Sequence, residues 1–186
     1  MPVPDLPLPI PSADTLPKDG GLSRPAALAI AVAVLGASAL IGRRNAPDRS
    51  HPRIRRWYQR LDKPGFVPPD AVFGAVWPLL KTGLAVGGYR LLRQPATAPR
   101  NAALGLWLIN GALIGGWSDL FFRRRALGPS AALWGAMVVT GTAHAVAAAR
   151  RDRVAGALAL PLLAWLGFAT VMATDIWRRA RRGSDD

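Results

Sequence analysis

Indoles inside apolar segments are the first feature of this sequence with chemical consequences. The chain has seven tryptophans, and Trp77, Trp117 and Trp165 are among those that fall within long apolar segments. An indole N–H that is buried needs a hydrogen-bond acceptor. Trp57 and Trp177 lie at segment ends, where anchoring at a membrane interface explains them as well as a binding role does. The three internal indoles are therefore the first candidates for a site.

A cation inside an apolar segment is the second such feature. Lys81 occupies this position. A cation near the middle of a bilayer costs about 2.5 to 3.5 kcal/mol on insertion scales, so it normally faces a partner or a polar interior. Asp119 and Asp175 are candidate ion-pair partners that the flexible lysine stem could reach. The alternative, which does not exclude the first, is contact between the ammonium and a carboxylate of a ligand.

Metal binding and hydrolysis find little support in the residue pattern. His51 and His144 each lack a second ligand three or four residues away, so both are interpreted as structural. Ser118 and Asp119 are adjacent but have no histidine nearby to complete a triad. The chain also has no cysteine. We therefore expect no metal site, no required cofactor and no ordinary enzyme activity.

Composition favours a membrane protein over a soluble one. Hydrophobic residues make up 51% of the chain and charged residues only 19%. The net charge of +13 is typical of nucleic-acid binding, but the arginines form short clusters at the ends of apolar segments. We expect these arginines to meet membrane lipid headgroups, and we expect no nucleic-acid partner.

The long apolar segments predict an all-α membrane protein with a bundle of five transmembrane helices. A spanning helix needs about 20 mostly apolar residues, and no segment shows the two-residue alternation of a barrel strand. The predicted helices lie near 26–42, 71–92, 103–122, 126–149 and 154–177, and the first is the weakest prediction. Residues 1–25, rich in proline, are predicted to be a disordered tail, with signal cleavage after 37–39 as the alternative. Residues 179–186 are predicted to be a short charged tail.

The distribution of positive charge predicts the orientation. Five spans place the first loop, the third loop and the C-terminus on one side of the membrane. Fifteen of the 24 lysines and arginines fall on that side, eight fall on the other, and Lys81 lies within a helix. Because short cytoplasmic loops carry an excess of positive residues, the first loop and the C-terminus are expected to be cytoplasmic in a multi-pass protein of a bacterial cell membrane.

Two glycine pairs have a spacing that permits close helix packing. Gly83 and Gly87 are four residues apart, as are Gly111 and Gly115. Small residues at this spacing let helix backbones approach in lipid. The pairs are compatible with packing within the bundle or with a homodimer.

A run of aromatic residues and prolines in the first loop carries a family resemblance. The run comprises Trp57, Tyr58, Leu61, Lys63, Pro64, Phe66, Pro68, Pro69, Phe73, Val76 and Trp77, and the later matches are Trp117-Ser118, Leu160-Pro161, Ala164-Trp165 and Ile176-Trp177. From Trp57 to Arg178 the chain resembles the TspO/MBR family of tryptophan-rich membrane proteins. The resemblance implies that residues 26–178 form a five-helix transmembrane domain.

The resemblance also implies a binding pocket near the first loop, where relatives bind porphyrins, sterols and synthetic aromatic ligands. Carried over by position, the pocket residues are Tyr58, Trp77, Lys81, Trp117, Ser118, Trp165 and Ala169. Trp77 and Lys81 are four residues apart and share a helix face, as do Trp165 and Ala169. The rings are expected to stack on a planar macrocycle, and Ala169 is expected to leave it room.

Several positions depart from the family pattern. Lys81 stands where an aromatic residue is usual, Ile114 where asparagine is common, Asp119 where proline is common, and Leu162 where tyrosine usually follows Pro161. The Asn and Tyr pair of the fifth helix is also missing, so the tyrosine of a sterol motif is absent. Sterol binding is therefore not expected.

The function that the resemblance implies is a receptor, sensor or translocator for porphyrin-type or haem-type ligands or other flat hydrophobic molecules. Two alternatives stay open. The same tryptophans could support light-driven or oxidant-driven porphyrin breakdown, or the chain could be a membrane scaffold or regulator that acts through partner proteins.

Overall fold

The computed structural model describes residues 20–183, and this part of the chain contains helices and no strand. The helices are α1 (Arg24–Arg43), α2 (Pro52–Arg60), α3 (Asp70–Leu92), α4 (Ala98–Ser118), α5 (Leu127–Ala149), α6 (Arg153–Leu158) and α7 (Leu160–Arg182), with a π-helical turn over Asp119–Arg123. The all-α prediction is confirmed. The predicted disordered tail falls mostly on residues 1–19, which lie outside the described part.

Four helical stretches are long and apolar enough to cross a membrane. They are α1, α3, α5 and the continuous run from Arg153 to Arg182. Helix α4 has a comparable length of 21 residues but is not among the four. Because Arg100, Asn101 and Asn110 lie within it, its sequence is less apolar than those of its neighbours.

Side-chain caps set several helix starts. The Thr97 hydroxyl accepts a hydrogen bond from the backbone N–H of Arg100, and Pro99 lies in the first turn. A capping threonine and an early proline both favour helix initiation. Helix α4 therefore begins at Ala98, whereas the predicted start was residue 103. The last helix also differs from the prediction, because α7 continues beyond the predicted end at residue 177 to Arg182.

Both glycine pairs pack within the bundle. Gly111 faces Val34 of α1, and a Cβ at Gly115 would lie 3.3 Å from the backbone of Ser38. The pair in α3 faces backbone carbonyls of α6, with that of Ala155 3.4 Å from a Cβ at Gly87. The spacing predicted close packing, and the structure assigns it to contacts between helices of one chain.

The bundle has two distinct ends. At the loop end, Tyr58 of α2 contacts Phe122 of the π-helical turn, and the Arg179 guanidinium of α7 lies 3.5 Å from the Asp62 carboxylate of the first loop. At the far end, residues 20–23, 93–97 and 150–152 come together, and the backbone N–H of Leu22 donates to Leu92 O at 2.9 Å. The aromatic first loop and the C-terminus therefore lie at the same end.

Large apolar side chains cover the outer surface of the long helices. The exposed ones include Leu28, Val32 and Leu40 of α1, Leu79 of α3, Val139 of α5 and Val171 of α7. A soluble monomer rarely exposes so much contiguous apolar surface. The exposed faces fit a bilayer, and the chain is a membrane protein.

Candidate binding site: an indole cluster beneath the first loop

Four tryptophans from four helices meet inside the bundle. Trp77 of α3 stacks near Trp134 of α5, with ring centroids 6.0 Å apart and planes at 25°. Trp117 of α4 lies 4.8 Å from Trp134, and Trp165 of α7 meets Trp77 edge-on at 6.4 Å. These four residues are called the indole cluster below. The structure thus brings together the three internal tryptophans that the sequence singled out.

Trp134 is the member that sequence reasoning missed. It lies in α5, a segment without a match to the family motif, and it is buried. One signal could have found it: Ser130 and Met137 are four and three residues away, so all three side chains share one face of α5, and all are buried. A tryptophan on the inward face of a span is a site candidate even outside a motif.

Three indole donors of the cluster are buried without an acceptor. The Nε1 atoms of Trp117, Trp134 and Trp165, and the Ser130 hydroxyl, have no hydrogen-bond partner within residues 20–183. An unpaired buried donor costs about 1–3 kcal/mol. The indole of Trp107 differs, because its N–H donates to Leu84 O at 2.9 Å. The cluster therefore holds polar groups that the protein itself leaves unsatisfied.

The π-helical turn connects the cluster to the first loop. It places Phe121 in a stacked contact with Trp117, with centroids 4.7 Å apart, and Phe122 edge-on to the same indole at 5.5 Å. Tyr58 of α2 contacts Phe122 at 5.6 Å. Burial raises the pKa of Tyr58, to which nearby Asp70 adds, so the phenol stays neutral at physiological pH. Tyr58 therefore lies at the loop edge of the site and reaches the indoles through phenylalanines.

A second aromatic chain covers the opposite side of the cluster. Phe73 at the start of α3 meets Trp165 at 5.5 Å, and Trp165 meets Phe168 at 5.4 Å. Phe66 of the proline-rich loop contacts Phe168 at 6.3 Å. The first loop therefore contacts the aromatic side chains around the cluster on two sides.

Lys81 lies beside the cluster and pairs with neither predicted carboxylate. Its ammonium is 5.9 Å from the Trp77 ring centroid and makes no ion pair with the described residues. Asp119 binds Arg124 at 2.8 Å, and Asp175 binds Arg179 at 2.9 Å. Arginines on the same helix or the next turn reach these carboxylates with a smaller loss of side-chain conformational entropy than a lysine from another helix.

Ser118 and Lys81 both lie next to Gly42 of α1. A Cβ on Gly42 would lie 3.7 Å from the Ser118 hydroxyl and 3.9 Å from the Lys81 ammonium. Ala169 is buried in the core that also contains Trp134. The predicted residues thus form a ring of aromatic side chains with one polar corner at Lys81 and Ser118.

The described residues include no group of three or more His, Asp or Glu side chains close enough to hold a metal ion. His144 is buried, and its Nδ1–H donates to Ala103 O at 3.0 Å. This contact gives it the structural role that the sequence indicated.

Comparisons with known proteins agree with this architecture. The model of the TspO/MBR family matches residues 27–178. The chain is 35% identical over 127 residues to the translocator protein of Homo sapiens. This alignment covers 66% of this chain and 74% of the relative. It is 33% identical over 136 residues to the translocator protein of Sus scrofa, covering 68% and 78%. Protein CrtK of Rhodobacter capsulatus is 26% identical over 124 residues, covering 66% and 77%.

Proposed function

The chain belongs to the TspO/MBR family, and from this premise we propose that it binds a porphyrin-type tetrapyrrole, or another flat hydrophobic molecule, within the indole cluster. It acts as an integral membrane receptor, sensor or translocator. The hydrophobic ligand and membrane lipid are its partners, and no cofactor is required.

The observation that carries this proposal is the convergence of the four indoles with three unpaired N–H donors. Indole faces stack on planar ring systems, and buried donors favour a ligand that brings acceptor atoms. A tetrapyrrole offers a flat aromatic surface and carboxylate oxygens. Because the indole rings contact one another, the ligand enters only when the rings separate. The first loop controls this separation through the contacts of Phe66 and Tyr58 with the surrounding phenylalanines.

Lys81 and Ser118 supply the polar corner of the proposed site. The ammonium has no carboxylate partner within the described residues, and the ammonium and the Ser118 hydroxyl both lie within 4 Å of a Cβ built on Gly42. A ligand carboxylate accepts from both groups, and a charge-assisted hydrogen bond is about twice as strong as a neutral one. This corner selects an acidic tetrapyrrole over an uncharged sterol.

In the membrane, α4 is proposed to be the fifth span, beside the four stretches that meet the length and apolarity requirements. Its neighbours are α1, α3 and α5, and Arg100 and Asn110 within it are buried. The loop end, with its arginine excess, faces the cytoplasm of a bacterial cell. Relatives named translocator protein support a role in moving the ligand.

A titration of purified protein with protoporphyrin tests the function. Tryptophan quenching and the pigment spectrum under illumination are recorded for the wild type, Trp77→Phe and Trp165→Phe, with Trp177→Phe outside the cluster as the control. Saturable quenching that weakens only in the cluster variants, with an unchanged pigment, supports a receptor. Loss of pigment that stops in those variants indicates the breakdown alternative. Absence of quenching contradicts binding and favours a scaffold.

Lys81→Met tests the polar corner. We expect it to weaken the binding of a carboxylated porphyrin about tenfold, the equivalent of one charge-assisted hydrogen bond, and to leave the neutral ester unaffected. Equal losses for both ligands contradict a carboxylate contact. The conservative variant Lys81→Arg should retain the preference.

The absence of native cysteine makes the orientation directly measurable. Single cysteines at Ser50 and at Ala96 report the loop end and the far end. In intact cells a membrane-impermeant maleimide should label only the Ala96→Cys variant. Labelling of the Ser50→Cys variant alone reverses the proposed orientation.

A further inference from the structure

A second cavity lies at the loop end, outside the indole cluster. It has a volume of about 270 Å³ and is lined by Arg53, Arg56, Trp57, Arg60 and Arg125. No carboxylate is among the lining residues. This arginine cavity gathers four guanidinium groups and one indole at a single surface depression.

Helix α2 presents most of the cavity wall. Arg53, Arg56 and Arg60 are separated by three and four residues, so they lie on one face of the helix, and Trp57 lies on the same face. Arg55 is on the opposite face and does not line the cavity. Three arginines of the helix, Arg53, Arg56 and Arg60, therefore converge on the cavity, whereas Arg55 points away from it.

The backbone directs Arg125 to the same cavity. It has φ of 55°, a left-handed conformation that side-chain-bearing residues rarely adopt. Its guanidinium lies over the Trp57 ring, 5.4 Å from the centroid. The two preceding arginines instead bind the Asp119 carboxylate at 3.1 and 2.8 Å. The third arginine thus does not share the Asp119 carboxylate and lies against Trp57 of α2 instead.

The cavity arginines lack counter-charges in the described part of the chain. Arg53 and Arg60 form no hydrogen bond or ion pair there, and Arg56 donates only its Nε, to Pro52 O at 3.4 Å. Two acidic residues of the loop end are bound to other arginines, Asp62 to Arg179 and Asp119 to Arg123 and Arg124. Four like charges that face one cavity repel one another unless an anion joins them.

We propose that the arginine cavity binds a phosphate-bearing anion, a chemistry shared by anionic phospholipid headgroups and free diphosphate. Guanidinium groups match phosphate oxygens with paired N–H donors, and several converging forks suit a dianion. The volume of about 270 Å³ accommodates a phosphate or diphosphate group. The Trp57 ring provides an amphipathic wall at the level of the membrane interface.

Two binding assays distinguish the sources of the phosphate. In the first, protein in a neutral detergent is titrated with inorganic pyrophosphate by isothermal titration calorimetry. In the second, protein in phosphatidylcholine nanodiscs with or without phosphatidic acid is analysed for retained lipid by native mass spectrometry. Binding in the first assay alone identifies a soluble anion, and retention in the second alone identifies a lipid headgroup. Binding in both assays supports a site for the phosphate group itself.

Arg125→Gly and the double variant Arg53→Gln/Arg56→Gln test the assignment. Glycine accepts a positive φ without strain, so Arg125→Gly removes the guanidinium while it keeps or raises thermal stability. We expect each variant to weaken binding at least tenfold, and wild-type binding to fall as salt rises. The matched control is Arg49→Gln/Arg55→Gln, which removes the same charge from the same loop outside the cavity.

The outcomes separate a built site from general attraction. Loss of binding in the cavity variants with retention in the control supports the proposal. Equal loss in the control shows nonspecific electrostatic attraction and overturns it, as does the absence of binding in both assays. The result is independent of the tetrapyrrole titration, because the cavity shares no residue with the indole cluster.

Discussion

The two halves of the bundle use the same residue types in opposite ways. In the far half, the Trp107 N–H donates to Leu84 O, and Arg100 donates to Leu91 O at 3.0 Å and to Leu92 O at 2.9 Å. In the loop half, three indole donors have no acceptor among the described residues, and the cavity arginines have no counter-charge. The indole and guanidinium donors named in the far half therefore bind backbone carbonyls, whereas in the loop half the three indoles are left without acceptors and the cavity arginines without counter-charges among the described residues.

This difference teaches that residue type alone does not identify a site in a tryptophan-rich and arginine-rich membrane protein. We propose that structural and binding residues differ in whether their polar atoms already have partners. Substitutions in the far half should accordingly lower stability, whereas matched substitutions in the loop half should lower ligand binding with little effect on stability.

Gly88→Ala should produce the largest effect. A Cβ at Gly88 would collide with the indole of Trp107, which is buried and held by its hydrogen bond. Overpacking of this kind costs about 1–3 kcal/mol, and we expect the upper part of that range in the free energy of unfolding. The control is Gly105→Ala, where a Cβ meets nothing within 4 Å. It should leave stability equal or raise it by up to about 1 kcal/mol through helix propensity.

Arg100→Gln against Arg53→Gln compares the arginines of the two ends. Arg100 is buried and binds the last carbonyls of α3, so its loss should cost about 2 kcal/mol, typical of hydrogen bonds to charged groups. Arg53→Gln should leave the unfolding midpoint unchanged or raise it slightly, because it breaks no hydrogen bond and relieves repulsion among like charges. Thermal unfolding in detergent measures both. A comparable loss in the two variants contradicts the contrast between the ends.

Trp107→Phe against Trp134→Phe compares the indoles. The two residues are equally buried, at 1% and 2% exposure, so the volume lost is similar. Trp107→Phe also removes a hydrogen bond, whereas Trp134→Phe removes a donor that has no partner. We expect Trp107→Phe to be more destabilising by about 1 kcal/mol and Trp134→Phe to be the one that weakens porphyrin quenching. The reverse order in both measurements contradicts the proposed division.

Much of the fold could be predicted from the sequence, because apolar length is a strong signal. The segments near 71–92 and 126–149 correspond closely to α3 and α5. The predicted third segment, near 103–122, differed at its start, because Thr97 and Pro99 allow the helix to begin at Ala98. The helical character of α2 was not predicted, because its four arginines mask the aromatic face.

The site could be predicted only in part, because partnership between residues from different helices has no local signature. Trp77, Trp117 and Trp165 were identified from their apolar surroundings, and they do meet. The partners of Lys81 depend on how the helix ends lie, and nearby arginines take both carboxylates. The π-helical turn that brings Phe121 to Trp117 also leaves no readable mark in the sequence.

Acid sensitivity should be the smallest effect, and it should again belong to the far end. Burial acts to raise the pKa of Asp152, but hydrogen bonds from the Ala155 N–H and Arg90 outweigh it, so the pKa lies below its ordinary value of 3.8. A depressed pKa contributes stability that is present above about pH 4 and is lost as pH falls through the folded value. Hydrogen bonds from Arg124 and Arg123 also lower the pKa of Asp119.

The exposure of the two carboxylates decides which one matters. The Asp152 side chain is 6% exposed and caps α6, whereas that of Asp119 is 27% exposed and its arginine partners are about 70% exposed. Solvent screens the second pair far more than the first. Asp152→Asn keeps a capping oxygen and loses the ion pair, so it should cost about 1 kcal/mol at pH 7 and flatten the decline in thermal stability between pH 5 and about pH 3. Asp119→Asn should leave the slope of that decline unchanged, and a change in slope with Asp119→Asn alone would place the acid-sensitive contact at the loop end instead.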